Sequence, residues 1–431
     1  MLKFFNSPLT AFAYDFIKAV QLNFDKRLHN YDCEQLAFKS LETQEKQVVF
    51  TLTLRHGFEQ SVDKIIKMRQ KIDFGNLLLR IASLVNLVRI ILLFSVSYET
   101  AIYLGDPLLD SKDRNVLLLV VLVGLTPMYI VHELAVIKEN NYGFVSAASD
   151  LKVVIKNGFS YFPFVGLEKK PFCRFIYLIC AFHNMITPMM IPFITFLYNF
   201  ELFCNLYNNY SLKTMLFAIP WSFTLTTAVI FLAAQAICYS SICCIYVGLH
   251  YFHIKSITNA TGFLLQVNDK RNCTDLNCII GQTLWLFNKI DSTFREIRFI
   301  VLFFYNGIAL MSCWFLHFGL FTGNHSVVMD FLITWLGFMI ISDILAISFF
   351  CAAFTNKVDR LYPMWHRMYC KSKTTTAMKL KMIEIFNRII LPTNGIQIGD
   401  YGLITKKFVL IFLLEFSTSL MLLRVNFGSY F

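Results

Sequence analysis

The sequence predicts an all-α, polytopic membrane protein with seven transmembrane helices, its N-terminus cytoplasmic and its C-terminus extracellular. Three observations carry this. Of 431 residues, 56% are hydrophobic and only 16% are charged, against about a quarter charged in an average soluble chain. Apolar runs of about 20 residues, the length that crosses a hydrocarbon core, recur along the chain. Lys and Arg collect in alternate segments between those runs, as topology demands of a multi-span protein.

The spans read in order as 75–104, 115–137, 174–198, 219–247, 298–321, 331–354 and 408–427. The first contains Arg80, Arg89 and Glu99, which a lipid-facing helix would not tolerate without partners. Before it, region 1–74 is expected to be cytoplasmic. Phe5, Leu9, Phe12, Phe16 and Ala19 fall at helical spacing, so residues 5–24 can form an amphipathic helix on the membrane surface. Asp15 and Lys18 and the lack of a small-residue cleavage site argue against a signal peptide there. Between the fourth and fifth spans, Ile280, Leu284, Phe287, Ile290, Phe294 and Ile297 share a helical face, which predicts a cytoplasmic extension of the fifth span.

Segments 1–74, 138–173, 248–297 and 355–407 hold 11, 5, 5 and 10 Lys plus Arg. Segments 105–114, 199–218, 322–330 and 428–431 hold 2, 1, 0 and 0. The imbalance, 31 against 3, places the first set inside. Glycosylation acceptor triplets at Asn209 and Asn324 then fall outside, while those at Asn259 and Asn272 fall inside.

Several classes are excluded. Seven spans invite comparison with G-protein-coupled receptors, but those have the opposite orientation, and of twelve cysteines only Cys204 falls in an outer loop. The net charge of +11 is accounted for by topology, and no basic motif with interleaved aromatics suggests nucleic acid. No catalytic constellation, cofactor motif or four-ligand metal set is present: the stretch His132 to Val136 lacks the second His of a zinc-protease motif, and His250 with His253 is an isolated pair. No internal repeat of the kind many transporters carry is visible. The expectation is therefore no enzyme, no cofactor and no metal.

The stretch "MIEIFNRIILPTNGIQIGDYGLITKKF", followed by the closing span, resembles the C-terminal region of the insect gustatory and odorant receptor superfamily: a helix, a glycine-bearing turn and a final span. Gly395 stands where that glycine does. Ser419 to Phe427 ("SLMLLRVNF") is similar to the gustatory signature of Thr-Tyr, five apolar residues and Gln-Phe. Ser stands for Thr, Leu for Tyr and Asn426 for Gln; Phe427 is identical, and Arg424 intrudes among the apolar five. The resemblance implies a gustatory or chemosensory receptor of the plasma membrane, a ligand-gated cation channel subunit opened by a small external chemical. It also implies assembly as a homo- or heterotetramer in the bilayer. Domains would be a cytoplasmic region 1–74, a six-helix ligand-sensing bundle 75–354 with cytoplasmic extensions, an anchor segment 355–407 and a pore helix 408–431.

At about 100° per residue, Glu415, Thr418, Ser419, Leu422 and Asn426 form one stripe of the last span. Such a stripe must meet water, an ion path or another helix, and packing against this chain's own helices would satisfy it equally. By the resemblance these five line the pore, Glu415 attracting cations as one of a ring. Ser417 and Arg424 lie on the opposite side, where Ser417 can bond back to its own helix and Arg424 can snorkel. For a ligand pocket, Trp221, Trp314, His317, Trp335 and Phe338 supply aromatic walls in outer halves of spans, though packing and interface-belt roles explain such residues too. Asp343 is an intramembrane carboxylate, either functional or paired, with Arg89 as one partner. A secondary transporter using Asp343 and Glu415, and a non-conducting receptor-like protein, are the alternatives.

Overall fold

The computed structural model describes residues 33–54, 57–58, 62–106, 108–109, 114–140, 169–207, 212–266, 273–322, 327–371, 375–390, 395–400 and 402–427. The expected surface helix at residues 5–24 and the acceptor sites Asn209 and Asn324 lie outside these. Among the described residues the elements are helices α1 (Cys33–Phe50), α2 (Val62–Leu93), α3 (Tyr98–Tyr103), α4 (Arg114–Asn140), α5 (Lys169–Tyr207) and α6 (Leu212–Gln266). They continue as α7 (Cys273–His317), a π-helical turn Phe318–Thr322, α8 (Val327–Asp359), α9 (Leu361–Lys371), α10 (Thr376–Ile390) and α11 (Lys406–Phe427). Seven of them, α2, α4, α5, α6, α7, α8 and α11, contain stretches long and apolar enough to cross a membrane. The protein is multi-pass.

One expectation is corrected. The first span does not run to residue 104: α2 ends at Leu93, and α3 starts afresh after the extended Ser97. The cause is a buried cation. Arg89 donates through Nε to the Leu104 carbonyl and through Nη2 to that of Gly105, each at 2.6 Å, so the chain folds back over the helix end. Gly105 sits at φ +64°, and a Cβ there would lie 2.4 Å from the Phe217 carbonyl oxygen, so the turn accepts only glycine. Asp106 closes the loop, accepting from Arg114 at 2.5 Å and from the Leu108 amide at 3.0 Å.

Within region 1–74, the described helix α1 packs on the bundle. Helix α1 docks midway along two spans, with Ala37, Leu41, Gln44 and Val48 buried. Asn184 of α5 donates to the Ser40 carbonyl at 3.0 Å, and Gln47 donates to the Asn184 carbonyl at 3.1 Å. The turn after α1 is held by α6, where Gln235 and Tyr239 donate to the Thr51 and Thr53 carbonyls at 2.9 and 3.0 Å. In that setting the unpaired backbone of a turn would be costly, and these side chains satisfy it.

Helix α6 has 55 residues, about 80 Å at 1.5 Å per residue, far more than a bilayer core of about 30 Å. Its C-terminal part leaves the bundle alongside the N-terminal part of α7, where Ile280, Phe287, Ile290 and Phe294 are buried. The amphipathic extension expected on α7 is therefore present. Helices α9 and α10 complete this projecting layer through buried Trp365, Met382 and Ile385.

Close helix approaches use small residues at defined points. A Cβ on Gly307 of α7 would lie 3.0 Å from Pro127 Cβ of α4, and one on Gly337 of α8 would lie 2.9 Å from Leu316 of α7. Ser312 exploits the second approach by donating to the Gly337 carbonyl at 2.8 Å.

Candidate ligand cavity and last helix

At one end of the bundle six spans surround a cavity of about 70 Å³, several times the roughly 10–15 Å³ that one water needs. Arg89 of α2, Leu118 of α4, Tyr198 of α5, Leu225 of α6, Phe315 of α7 and Ile333 of α8 each contribute wall. The lining is aliphatic except for Arg89, Tyr198, Phe315 and the thioether of Met329. Arg89 is committed to the loop carbonyls, with its guanidinium 4.8 Å from the Trp221 ring centre. Tyr198 differs: its hydroxyl has no hydrogen-bond partner among the described residues. Gly124 makes room, since a Cβ there would lie 3.2 Å from Phe315 and 3.6 Å from the Tyr198 hydroxyl. A mostly apolar cavity with a free hydroxyl suits a small, largely apolar molecule carrying one hydrogen-bonding group.

Neither the five residues expected at a ligand pocket, Trp221, Trp314, His317, Trp335 and Phe338, nor Asp343 lines this cavity. Trp335 and Phe338 point away from the bundle, 52% and 49% exposed, with Phe331 stacked on Trp335. Trp314, His317 and Phe318 form an aromatic cluster near the end of α7, with His317 buried. Trp221 covers Arg89. Asp343 is not paired with Arg89; it accepts from Ser240 of α6 at 3.1 and 3.4 Å. Sequence reading sought aromatic side chains, whereas the wall is built from Leu, Val and Ile facing inward. Tyr198 had no signal of its own, because nothing in the sequence around it tells an inward-facing tyrosine from the other tyrosines of the spans.

The opposite end of the bundle controls how the chain enters α11. Residues 395–400 and 402–405 form the two sides of a hairpin in which the Ile404 amide donates to the Ile396 carbonyl at 2.9 Å and the Ile398 amide to the Gly402 carbonyl at 3.0 Å. Gly399, at φ +53°, donates to the Arg298 carbonyl at 2.9 Å, and Arg298 pairs with Asp400 at 2.9 Å. Thr355 of α8 donates to the Ile404 carbonyl at 3.0 Å. The hairpin is thus tied to both α7 and α8. Gly395 packs tightly here, a Cβ on it lying 3.0 Å from Leu403 and 3.2 Å from Thr355.

Helix α11 touches α7 and α8 along one narrow face, and 6% of its apolar stretch is buried against 72% for α6. Phe408, Val409 and Phe412 make that contact, both phenylalanines against Tyr305 of α7. Glu415, Thr418, Ser419, Leu422 and Asn426 are all exposed, so the polar stripe does not pack on this chain's described helices. Ser417 and Thr418 donate to the carbonyls of Leu413 and Leu414 at 2.8 and 2.9 Å. Arg424 does not simply extend outward: its guanidinium lies 4.9 Å from the Phe321 ring centre of the π turn.

No protein-family profile matches the chain, and no curated protein sequence matches it. Solved structures do. The insect olfactory receptor OR5 from Machilis hrabei superposes with a TM-score of 0.64, covering 90% of this chain and 100% of that one at 14% identity. The same receptor in complex with eugenol superposes with a TM-score of 0.64 over the same shares at 13% identity. The chain has the insect olfactory receptor fold. That receptor belongs to the insect odorant and gustatory receptor superfamily, the one that the C-terminal segment resembles. The fold is shared while six of seven residues differ, so side-chain detail must be read from this chain itself.

Proposed function

We propose that this protein is a subunit of a chemosensory cation channel, gated by a small, mostly apolar organic molecule. The observation that carries the reading is the contrast between two parts of one fold. Six spans enclose a cavity with a free tyrosine hydroxyl, while the seventh presents an uncovered polar stripe. A stripe of Glu, Thr, Ser and Asn does not belong against lipid. Four copies about a common axis would turn those stripes toward one another and toward water, making Glu415, Thr418, Ser419, Leu422 and Asn426 the pore wall. The hairpin before α11 and the projecting layer of α9 and α10 would join the subunits on the cytoplasmic side.

The unequal spread of basic residues supports a cytoplasmic N-terminus and an extracellular C-terminus. This puts the cavity at the extracellular end, within reach of external chemicals, in a plasma-membrane protein. The gustatory signature near the C-terminus favours a tastant over an odorant.

The test is whole-cell recording from cells expressing the full chain, challenged with a panel of small organic chemicals. Non-selective cation currents evoked by a subset are expected. Slow uptake in proportion to substrate would favour a carrier using Asp343 and Glu415. Binding without current or uptake would favour a non-conducting receptor.

A further inference from the structure

A second cavity, of about 60 Å³, lies at the hairpin end of the bundle. Its walls include Cys243 of α6, Phe294 and Val301 of α7, Cys351 of α8, and Ile396 and Ile404 of the hairpin. It shares no lining residue with the outer cavity. Every hydroxyl around it is engaged elsewhere. Tyr239 donates to the Thr53 carbonyl at 3.0 Å and Ser240 to Asp343 at 3.1 Å. Tyr246 and Thr293 share a bond of 2.7 Å, as do Tyr305 and Ser348. What remains facing the space is carbon and thiol sulfur. Water needs two to four polar partners to occupy a cavity, and this one offers none.

We propose that this inner cavity is a second binding site, for compact apolar molecules without hydrogen-bonding groups: hydrocarbons or halocarbons of a few heavy atoms. An engineered apolar cavity of roughly 150 Å³ takes benzene or xenon, so the smaller space here selects smaller guests. The two cysteine sulfurs, Cys243 and Cys351, provide polarisable walls that suit xenon or a halocarbon. The site's position gives occupancy a consequence. Ile396 and Ile404 are the residues joined by the hairpin's own hydrogen bond, and Ile404 lies two residues before the start of α11 at Lys406. A guest therefore packs directly against the rung that leads into the last helix and holds it closed. The binding claim goes beyond the channel reading and does not depend on it.

The experiment uses the full chain in lipid nanodiscs with xenon as the probe, observed by xenon NMR. Saturable binding at two sites is expected in the unmodified protein. Cys351→Leu and Val301→Phe, which fill the inner space, should each abolish one site; Val121→Phe, which fills the outer one, should abolish the other. Inner-site binding that survives both filling variants in folded protein overturns the proposal. A measurement on the unmodified protein covers the case in which those variants misfold. Xenon should slow hydrogen exchange of the Ile404 amide at least several-fold while leaving amides in α9 unchanged, and unchanged exchange at Ile404 at saturating xenon also overturns it. Because neither readout uses current, failure here leaves the channel reading standing, and absence of current leaves this site standing.

Discussion

The guanidinium of Arg89 lies 4.8 Å from the centre of the Trp221 ring, while its nitrogens reach the carbonyls of Leu104 and Gly105. A cation 3% exposed within a span would be prohibitive alone. Here one aromatic face and two carbonyls replace its water, and the same contacts fold the 94–106 connection back over the cavity.

Arg89→Lys should therefore be destabilising although it preserves charge, because an ammonium cannot reproduce the planar fork that meets two carbonyls and stacks on indole. Leaving one buried carbonyl without its donor costs about 1–3 kcal/mol. Thermal unfolding of the purified protein should show the loss, and surface delivery should fall. Wild-type behaviour of Arg89→Lys would mean that the loop is held by Asp106 and Arg114 alone.

Gly105 gives a second test of the same loop. Gly105→Ala must place a Cβ 2.4 Å from the Phe217 carbonyl at φ +64°, so the turn has to open. Gly402→Ala is the control: φ is also positive, at +127°, but open space surrounds the missing Cβ, leaving backbone strain of about 1–3 kcal/mol without a clash. Surface labelling should be much lower for Gly105→Ala than for Gly402→Ala. Equal surface levels would contradict the packing at Phe217.

Tyr198 should set selectivity in the outer cavity. Tyr198→Phe keeps the ring and removes the free hydroxyl. Ligands with an oxygen that bonds it should lose about two- to tenfold in apparent affinity, since a hydrogen bond contributes about 0.5–1.5 kcal/mol and 1.4 kcal/mol is tenfold. Hydrocarbon analogues of the same shape should be unaffected. Concentration–response curves for an oxygenated and a hydrocarbon pair decide it; parallel shifts in both would show that the hydroxyl does not touch ligand.

Much of this was legible beforehand. Seven apolar runs and the period of Ile280 to Phe294 describe local patterns, and local patterns survive into the fold. The docking of α1 was not legible, because Gln47 and Thr51 are polar residues whose partners, Asn184 of α5 and Gln235 of α6, lie far away in sequence. The cavity was equally hidden. Leu118, Leu225 and Ile333 belong to uniformly apolar spans, where no contrast along the sequence distinguishes a residue that lines a void from one that fills it. Asp343 was visible as an intramembrane carboxylate, but its partner, Ser240, lies 103 residues away and looks like any helical serine.

The exposed stripe of α11 carries the last prediction. Val409 is buried and Phe412, Phe416 and Leu420 are partly covered, while Ser419, Leu422 and Asn426 are open. If four copies close around a pore, cysteine at Ser419, Leu422 or Asn426 should react with a water-borne thiol reagent and block current, whereas cysteine at Leu420 should be protected. Glu415→Gln removes one charge per subunit with little change of size, so cation preference or conductance should change while surface expression is maintained. Equal protection on both faces during activation would instead make the stripe a packing surface. The described residues leave the stripe uncovered, so chemical cross-linking between cysteines at Leu422 would separate a closed intersubunit interface from a pore: cross-links without current identify packing, and reagent block identifies a water-filled path.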